Sequence, residues 1–475
     1  MTTMRWYPTV ATLGDGSFII MGGSTDNLDL SNWNNLTKLN PTYEFYPSRG
    51  TTFHLNVLAE TFPFNLYPLV FQLPSGRVWV FVGTRSAILD PVTNQVDETI
   101  IPILDPVNNR PHIYPFTPTA VVLPMTIANN YEFKVQLCGG VQRRSADSNL
   151  TSPAPDDLDP SDDCYVIVPE PTDGSRPTWT HIEKMPVGRV MPDSILLPDG
   201  KVLYVNGAGY GFAGGAAGWG TAYNPRYQAD IFNPSGPVGS RFSTLASASV
   251  DRIYHSTAML IQDGRVVTAG SEEQNWNDIN RFGPSRADPS FANCTIGLAA
   301  GAPGNRCTDP FEYRMEAFAP PYLFKGNRPV IVSAPTSLTY NSTFFVGVTG
   351  GVIQSFSFIR YTTVTHSTNA DQRFWESPII GRNDTGYLVR APTNPNVAAP
   401  GNWMLFAVSN NGIPSVAATI QLGNGPVMTT TFAEQIAPAA NILTSGVARM
   451  EFGGLVGVVM AVASWLICFE LGLAS

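Results

Sequence analysis

The chain has 475 residues, enough for two or three domains, and a net charge of −9 with no basic run. That excludes nucleic acid as a partner, because phosphate binding needs clustered Lys and Arg. Charged residues are 14%, aromatics 11%, and 42 Gly and 40 Pro break helices, so a loop-rich all-β protein is expected.

The N-terminus, Met1-Thr-Thr-Met-Arg-Trp-Tyr, has no apolar signal core. From Tyr7 a phrase begins that recurs along the chain. It opens on an aromatic followed by Pro or a small residue, continues through a Leu and an Asp-Gly or Ser-Gly turn, and closes as a β run on Gly. Its copies are Tyr7–Gly23, Tyr67–Gly83, a degenerate Tyr114 to Gly140, Met191–Gly207 with Met for the aromatic, and Tyr254–Gly270. Each reads as a strand, a turn and a strand. Their spacing of roughly 50 to 75 residues is kelch-like, which means blades of a β-propeller.

Cys138 and Cys164 bracket a polar insertion, and Cys294 and Cys307 close a short loop; Cys468 is the fifth cysteine. No CxxC pair is present, which argues against a thiolate zinc site. Both pairs suit disulfides in an oxidising compartment, and buried free thiols are the alternative, because spacing fixes no connectivity. Asn35, Asn149, Asn293, Asn341 and Asn383 each open an N-glycosylation sequon in turn-like sequence.

The phrase stops after Gly270. An irregular stretch leads to Phe318-Ala-Pro-Pro-Tyr-Leu-Phe324. From about Arg328 short alternating strands with frequent turns predict an immunoglobulin-like sandwich. The expected organisation is a propeller over 1–325, a sandwich over 326–424, a linker over 425–450 and an apolar tail over 451–475. From Gly453 to Phe469 the tail is apolar for 17 residues, with no Lys or Arg after it. A removed lipid-anchor signal fits best, beside a retained membrane helix or a chance apolar end. An extracellular or cell-surface chain, attached through its C-terminus and monomeric, is expected.

Histidine is scarce. His54, His112 and His181 lie in loop-like sequence and attract no functional reading. His255 and His366 are each followed by Ser-Thr; His255 follows Tyr254 in the fifth phrase, and His366 lies just past a sandwich strand. Each alone more often marks a hydrogen-bonded structural histidine.

Three segments carry a resemblance: Arg5-Trp-Tyr-Pro-Thr, Arg252-Ile-Tyr-His-Ser-Thr, and Val364-Thr-His-Ser-Thr-Asn-Ala-Asp-Gln-Arg-Phe374. With the Pro320-Pro-Tyr-Leu-Phe junction, they resemble the site segments of the copper-radical oxidases, the glyoxal oxidase and galactose oxidase family, over residues 4 to 423. The resemblance implies one copper ion held by His255, His366, Tyr7 and Tyr254. Tyr7 would store a radical, and Tyr254 would be the axial ligand and base. It also implies that a loop of the sandwich carries the second histidine into the propeller axis. Imidazole and phenolate donors suit Cu(II). The implied reaction oxidises a small aldehyde such as glyoxal or methylglyoxal, or an alcohol, and turns O2 into H2O2.

The family joins its radical tyrosine by a thioether to a cysteine a blade upstream, and no cysteine precedes Tyr7 here. The family also has about seven blades against five phrases. The sequence is therefore expected to be an N-terminally truncated form, with an open propeller, or else a shortened and inactive relative. The competing function is a non-catalytic surface protein that binds glycans or partners; an intracellular kelch adaptor fits the sequons and tail poorly.

Overall fold

The computed structural model describes residues 1–28, 35–98, 101–104, 110–142, 158–216, 219–271, 312–424 and 447–449. Each of the five phrases supplies the two inner strands of a four-stranded antiparallel sheet. The first blade is Thr9–Thr12, Phe18–Met21, Thr42–Tyr46 and Phe53–His54. The second is Leu69–Gln72, Val78–Val82, Arg85–Leu89 and Val96–Asp97. The third is Pro118–Val122, Val135–Gly139, Cys164–Ile167 and Thr180–His181. The fourth is Asp193–Leu196, Val202–Val205, Gln228–Phe232 and Phe242–Ser247. The fifth is Thr257–Leu260, Val266–Ala269, Glu316–Phe318 and Val447–Arg449, the last falling inside the stretch read as a linker. The tail, Cys294, Cys307 and Cys468 lie outside the described residues. Among the described residues no helix is long and apolar enough to cross a membrane.

The phrase has a physical basis. Gly16, Gly76, Gly200 and Gly264 sit in the left-handed region at the hairpin tips, with φ of 84, 93, 78 and 84°. A Cβ there is strained, which is why the tip is Asp-Gly or Ser-Gly. The third phrase lacks that tip and closes instead on Leu123 N–H donating to the Lys134 carbonyl across a longer loop (2.8 Å). At the other end of the phrase a Cβ on Gly23 or Gly207 would meet the carbonyl of Trp6 or Val190 at 2.7 Å, so the second strand can close only on glycine.

In each of three blades a buried arginine ties the strand ends together. Arg5, Arg189 and Arg252 precede the inner strand and donate to the carbonyls of Gly22, Asn206 and Gly270, at the end of the second strand. Each also faces an acid on its blade's third strand: Arg5 Nε to Glu44 at 2.8 Å, Arg189 Nη2 to Asp230 at 2.7 Å, and Arg252 Nη2 to Glu316 at 3.6 Å. The third strands read Thr42-Tyr-Glu-Phe-Tyr and Gln228-Ala-Asp-Ile-Phe, a charge inside an apolar run that only such a partner makes tolerable. Cys138 and Cys164 face each other across adjacent strands of the third blade and form a disulfide.

The sandwich packs a sheet of Val330–Ser333, Thr343–Thr349, Gly386–Arg390 and Ile379–Asn383 on a second of Ser337–Leu338, Ala418–Leu422, Gly401–Ser409, Ile353–Arg360 and Phe374–Ser377. Its core of Phe344, Phe356, Phe358, Trp403 and Leu405 continues into Phe71, Trp79 and Val122 of the second and third blades, so the two units share one apolar core. His54 and His181 lie in edge strands rather than loops, and His112 is buried.

Asp193 starts the inner strand of the fourth blade and is fully buried. Asn206 Nδ2 donates to one carboxyl oxygen (2.7 Å), and the other has no hydrogen-bond partner. Burial, opposed by the Asn206 bond, raises the carboxyl to about 7. The stability linked to its protonated form is full below the unfolded value near 3.8 and is lost as pH rises through about 7. Asp193→Asn keeps the Asn206 bond, so its denaturation midpoint should match wild type near pH 4 and exceed it increasingly from pH 5 to 8. A midpoint difference that stays flat across that range would refute the assignment.

Candidate metal centre

The register of the blades shows which residues face the axis. Tyr7, Tyr67, Met191 and His255 occupy the same place, nine residues before the tip glycine, and all are left-handed, with φ of 62, 48, 58 and 59°. The equivalent of Tyr7 in the fifth phrase is therefore His255, not Tyr254 as the aromatic pattern suggested. The pairings Thr9↔Met21 and Thr257↔Ala269 fix that alignment. Two residues separate Arg252 from His255, where one separates Arg5 from Tyr7. Tyr254 is that additional residue, so the fifth blade presents both a phenol and an imidazole.

His366 arrives from the sandwich. Thr365 and Thr368 exchange backbone hydrogen bonds (3.2 and 2.8 Å) around His366 and Ser367, both left-handed with φ of 52 and 61°. That is the pattern of a type I′ turn, here without glycine, and such strain is held at functional sites when its surroundings fix it. They do so through the residues that follow. Asp371 accepts from the Thr12 backbone N–H and hydroxyl (2.9 and 2.7 Å) on the first blade. Gln372 accepts from Leu196 N–H (2.7 Å) and donates to the Ser194 carbonyl (2.9 Å) on the fourth. Arg373 donates to the Gln72 carbonyl (3.1 Å) on the second. Three blades thus clamp one hairpin.

At its tip the four sequence-predicted residues come together. His255 Nε2 lies 2.9 Å from His366 Nε2, and Tyr7 Oη 2.9 Å from Tyr254 Oη. The His366 ring centroid is 4.6 Å from that of Tyr7 and 5.3 Å from that of Tyr254, and Tyr254 stacks on His255 at 3.8 Å. Two nitrogens each about 2.0–2.1 Å from one cation in adjacent positions stand about 2.9 Å apart, so the imidazole spacing fits a shared metal. Burial, then His255, lowers His366 to about 3, which leaves a neutral imidazole able to donate a lone pair. Burial, then Tyr114 and Tyr7, raises Tyr254 far above an ordinary phenol, so without a nearby cation it stays protonated. Among the described residues no group of three or more His, Cys, Asp or Glu converges, so a four-donor set here needs the phenols.

Two tyrosines that the sequence reading left as blade residues also belong to the site. Tyr67 stacks on Tyr7 (4.8 Å) and on His366 (4.6 Å), and its backbone N–H donates to the Tyr7 carbonyl (2.9 Å). Tyr114 Oη is 3.4 Å from Tyr254 Oη. Both open phrases, as Tyr7 does, so their place in the repeat was the available signal. Trp6 stacks on Tyr7 at 3.6 Å. The hairpin after Gly207 covers this cluster. Gly214, with φ of 89°, comes so close that a Cβ would sit 2.5 Å from Tyr114 Oη. Gly214→Ala should therefore displace the Tyr114 phenol and cost more stability than Gly174→Ala, where φ is 77° and nothing lies within 4 Å. Equal losses by chemical denaturation would show that backbone strain alone is at work.

The family described as "Glyoxal oxidase N-terminus" matches residues 1–284, and "Galactose oxidase-like, Early set domain" matches 328–422. An "Aldehyde oxidase GLOX" of Vitis pseudoreticulata is 33% identical over 441 residues, covering 89% of this chain and 72% of that protein. "Aldehyde oxidase GLOX1" of Arabidopsis thaliana is 29% identical over 450 residues, covering 89% of this chain and 64% of that one. A solved structure of a fungal alcohol oxidase of the AA5 family, in complex with copper, superposes with a TM-score of 0.61 at 17% identity. It covers 89% of this chain and 76% of that one, a likeness of fold.

Proposed function

The chain belongs to the glyoxal oxidase family, and from that premise we propose that it is a copper-radical oxidase of small aldehydes such as glyoxal and methylglyoxal. The observation that carries this reading is the meeting of the His255 and His366 Nε2 atoms at 2.9 Å beside the Tyr7 and Tyr254 phenols. Copper held by these four residues would supply one of the two oxidising equivalents and the positive charge that lowers a phenol's pKa.

The residues divide the remaining work. Tyr7, packed by Trp6 and Tyr67, would hold the second oxidising equivalent on its ring. Tyr254, next to that phenol, would take the hydroxyl proton of an aldehyde hydrate as general base. The hydrate would lose two electrons and two protons to become the acid, and O2 would take them up as H2O2. Tyr114 and the Gly214 turn would wall water from the phenols on one side. The two described cysteines are bonded to each other, so neither is available for a thioether to Tyr7.

The test is copper loading followed by peroxide measurement on glyoxal, methylglyoxal, simple alcohols and galactose. Peroxide should be greatest from the aldehydes. A copper-loaded chain that yields none from any substrate would favour the glycan- or partner-binding reading instead.

Residence outside the cell or at its surface is part of the same proposal. Asn35, Asn341 and Asn383 are exposed, and the Cys138–Cys164 disulfide suits an oxidising compartment. A mobility shift on endoglycosidase treatment, made smaller by Asn→Gln at each of these three positions, would support it. Release from membranes by phospholipase would support the lipid anchor.

A further inference from the structure

We propose that an N-linked glycan on Asn383 packs against Phe345 and Leu388 and covers the outer face of a sandwich sheet. The inference rests on the proposal that the chain resides outside the cell or at its surface, because a secreted chain is the kind that receives such a glycan. It is independent of the metal centre.

The sheet of Val330–Ser333, Thr343–Thr349, Gly386–Arg390 and Ile379–Asn383 has one face in the core and one in solvent. Phe344, Val346, Tyr387 and Val389 take the core side. Alternation then places Phe345 and Leu388 on the outer side, and they are opposite each other in the ladder. The two edge strands add Val332 and Ile380. A Cβ on Gly347 would meet Val332 Cγ2 at 3.1 Å, which puts Val332 on the outer side as well. Ile380 is the unpaired residue of the irregularity beside Leu388. These four side chains are 38 to 51% exposed. A single exposed apolar side chain is ordinary, but four on neighbouring strands of one face form a patch that calls for a cover.

Asn383 stands at the rim of that patch, on the same side. It opens the sequon Asn383-Asp-Thr385 and pairs with Gly386 across the two-residue turn, and Gly386 pairs with Gly347 in the next strand. Paired residues share a face, so Asn383 faces outward with Leu388. Its Oδ1 accepts from the Thr385 N–H and hydroxyl (2.9 and 2.8 Å) and from the Gly386 N–H (3.1 Å). The carbonyl end is thereby held in the turn, which leaves Nδ2, the atom that carries the sugar, facing away from it on an exposed residue. Phe345 reaches toward this corner: a Cβ on Gly386 would sit 2.9 Å from Phe345 Cζ. Gly386 is one strand spacing from Asn383, about 4.8 Å, so the ring is within reach of the first sugar. A pyranose has a face of C–H groups, and laying that face on a phenyl ring removes apolar surface from water while the hydroxyls stay hydrated. Attachment forms a bond from Asn383 Nδ2 to the anomeric carbon of an oligosaccharide. It breaks that carbon's bond to the diphosphate of a lipid-linked donor; the amide loses one proton and the lipid diphosphate leaves.

The test secretes the chain from a glycosylating eukaryotic host and reads its peptides by mass spectrometry, where Asn383 should carry a glycan. Thermal midpoints then compare wild type, Asn383→Gln, Phe345→Thr and the double variant. Asn383→Gln should lower the midpoint by about 2 °C more in wild type than beside Phe345→Thr, where the sugar has already lost its ring. The same four chains made in bacteria, without glycans, should show no such difference, since there Asn383→Gln removes only the turn's hydrogen bonds. Equal shifts in both backgrounds of the secreted chain would overturn the packing. So would an Asn383 that stays bare while Asn35 or Asn341 is glycosylated, a result that leaves the extracellular reading intact. Bare asparagine at all three positions would overturn both. A dimer of the secreted chain that Phe345→Thr dissolves would assign the face to a second copy and overturn the glycan as its cover.

Discussion

His366→Gly is expected to lower Cu(II) affinity by more than about 100-fold and to remove peroxide production, while the chain still folds. The lower bound follows from ligand chemistry: loss of an outer partner alone costs about 10- to 100-fold, and loss of a donor costs more. Glycine accepts the left-handed φ of 52° without the β-carbon that His366 already carries there, so the turn is not strained further. Alanine would keep that β-carbon, and with it the strain that histidine already bears, and should lose affinity alike. The fold should survive because Asp371, Gln372 and Arg373, not His366, hold the hairpin to three blades. His255→Gly should behave alike, since φ there is 59°. His54→Gly, at an exposed edge strand, should leave affinity unchanged. Chelator competition and a denaturation curve on each variant suffice. Wild-type affinity in His366→Gly would remove the centre from this place.

The same residues show what a sequence reveals and what it hides. The five phrases were legible because strand, turn and strand are local, and because Gly16, Gly76, Gly200 and Gly264 are required by backbone torsion. The sandwich strands were legible from alternation; Phe356 and Phe358 are buried on a strand whose pairings match the pattern. The fifth phrase was misaligned by one residue because Tyr254 looks like Tyr7, whereas hydrogen-bond register gives that place to His255. A one-residue slip changes which side chain faces the axis, and only pairing can settle it. The convergence of His255 and His366 was inferred from resemblance, because 111 residues separate them and no local rule joins two units. Tyr67 and Tyr114 were overlooked for the opposite reason. They fit the repeat so well that structure explained them, and a repeat position on a propeller axis can serve both purposes.

The largest stability effect is expected at Arg189, where the repeat itself predicts the outcome. Arg189 and Asp230 have fully buried side chains. Arg189 also donates to the carbonyls of Asn206 and Gln228, and Asp230 accepts from the Thr244 hydroxyl (2.8 Å). Burial lowers the arginine, and the Asp230 carboxylate opposes that shift. Removing one partner strands the other: Arg189→Met leaves a buried carboxylate and two buried carbonyls without their donor. The expected loss is about 3–5 kcal/mol, read as a fall in the denaturation midpoint. Arg189→Met combined with Asp230→Leu should recover much of it, because the charge that needed pairing is gone, though the carbonyls remain unmet. Arg252 should tolerate the matching change better, since its contact to Glu316 is longer, at 3.6 Å. Recovery in the double variant would identify the arginine clamp as a device for tying strand ends with a neutralised charge. No recovery would mean that the donated hydrogen bonds to the backbone, and not the ion pair, hold the strand ends of the fourth blade.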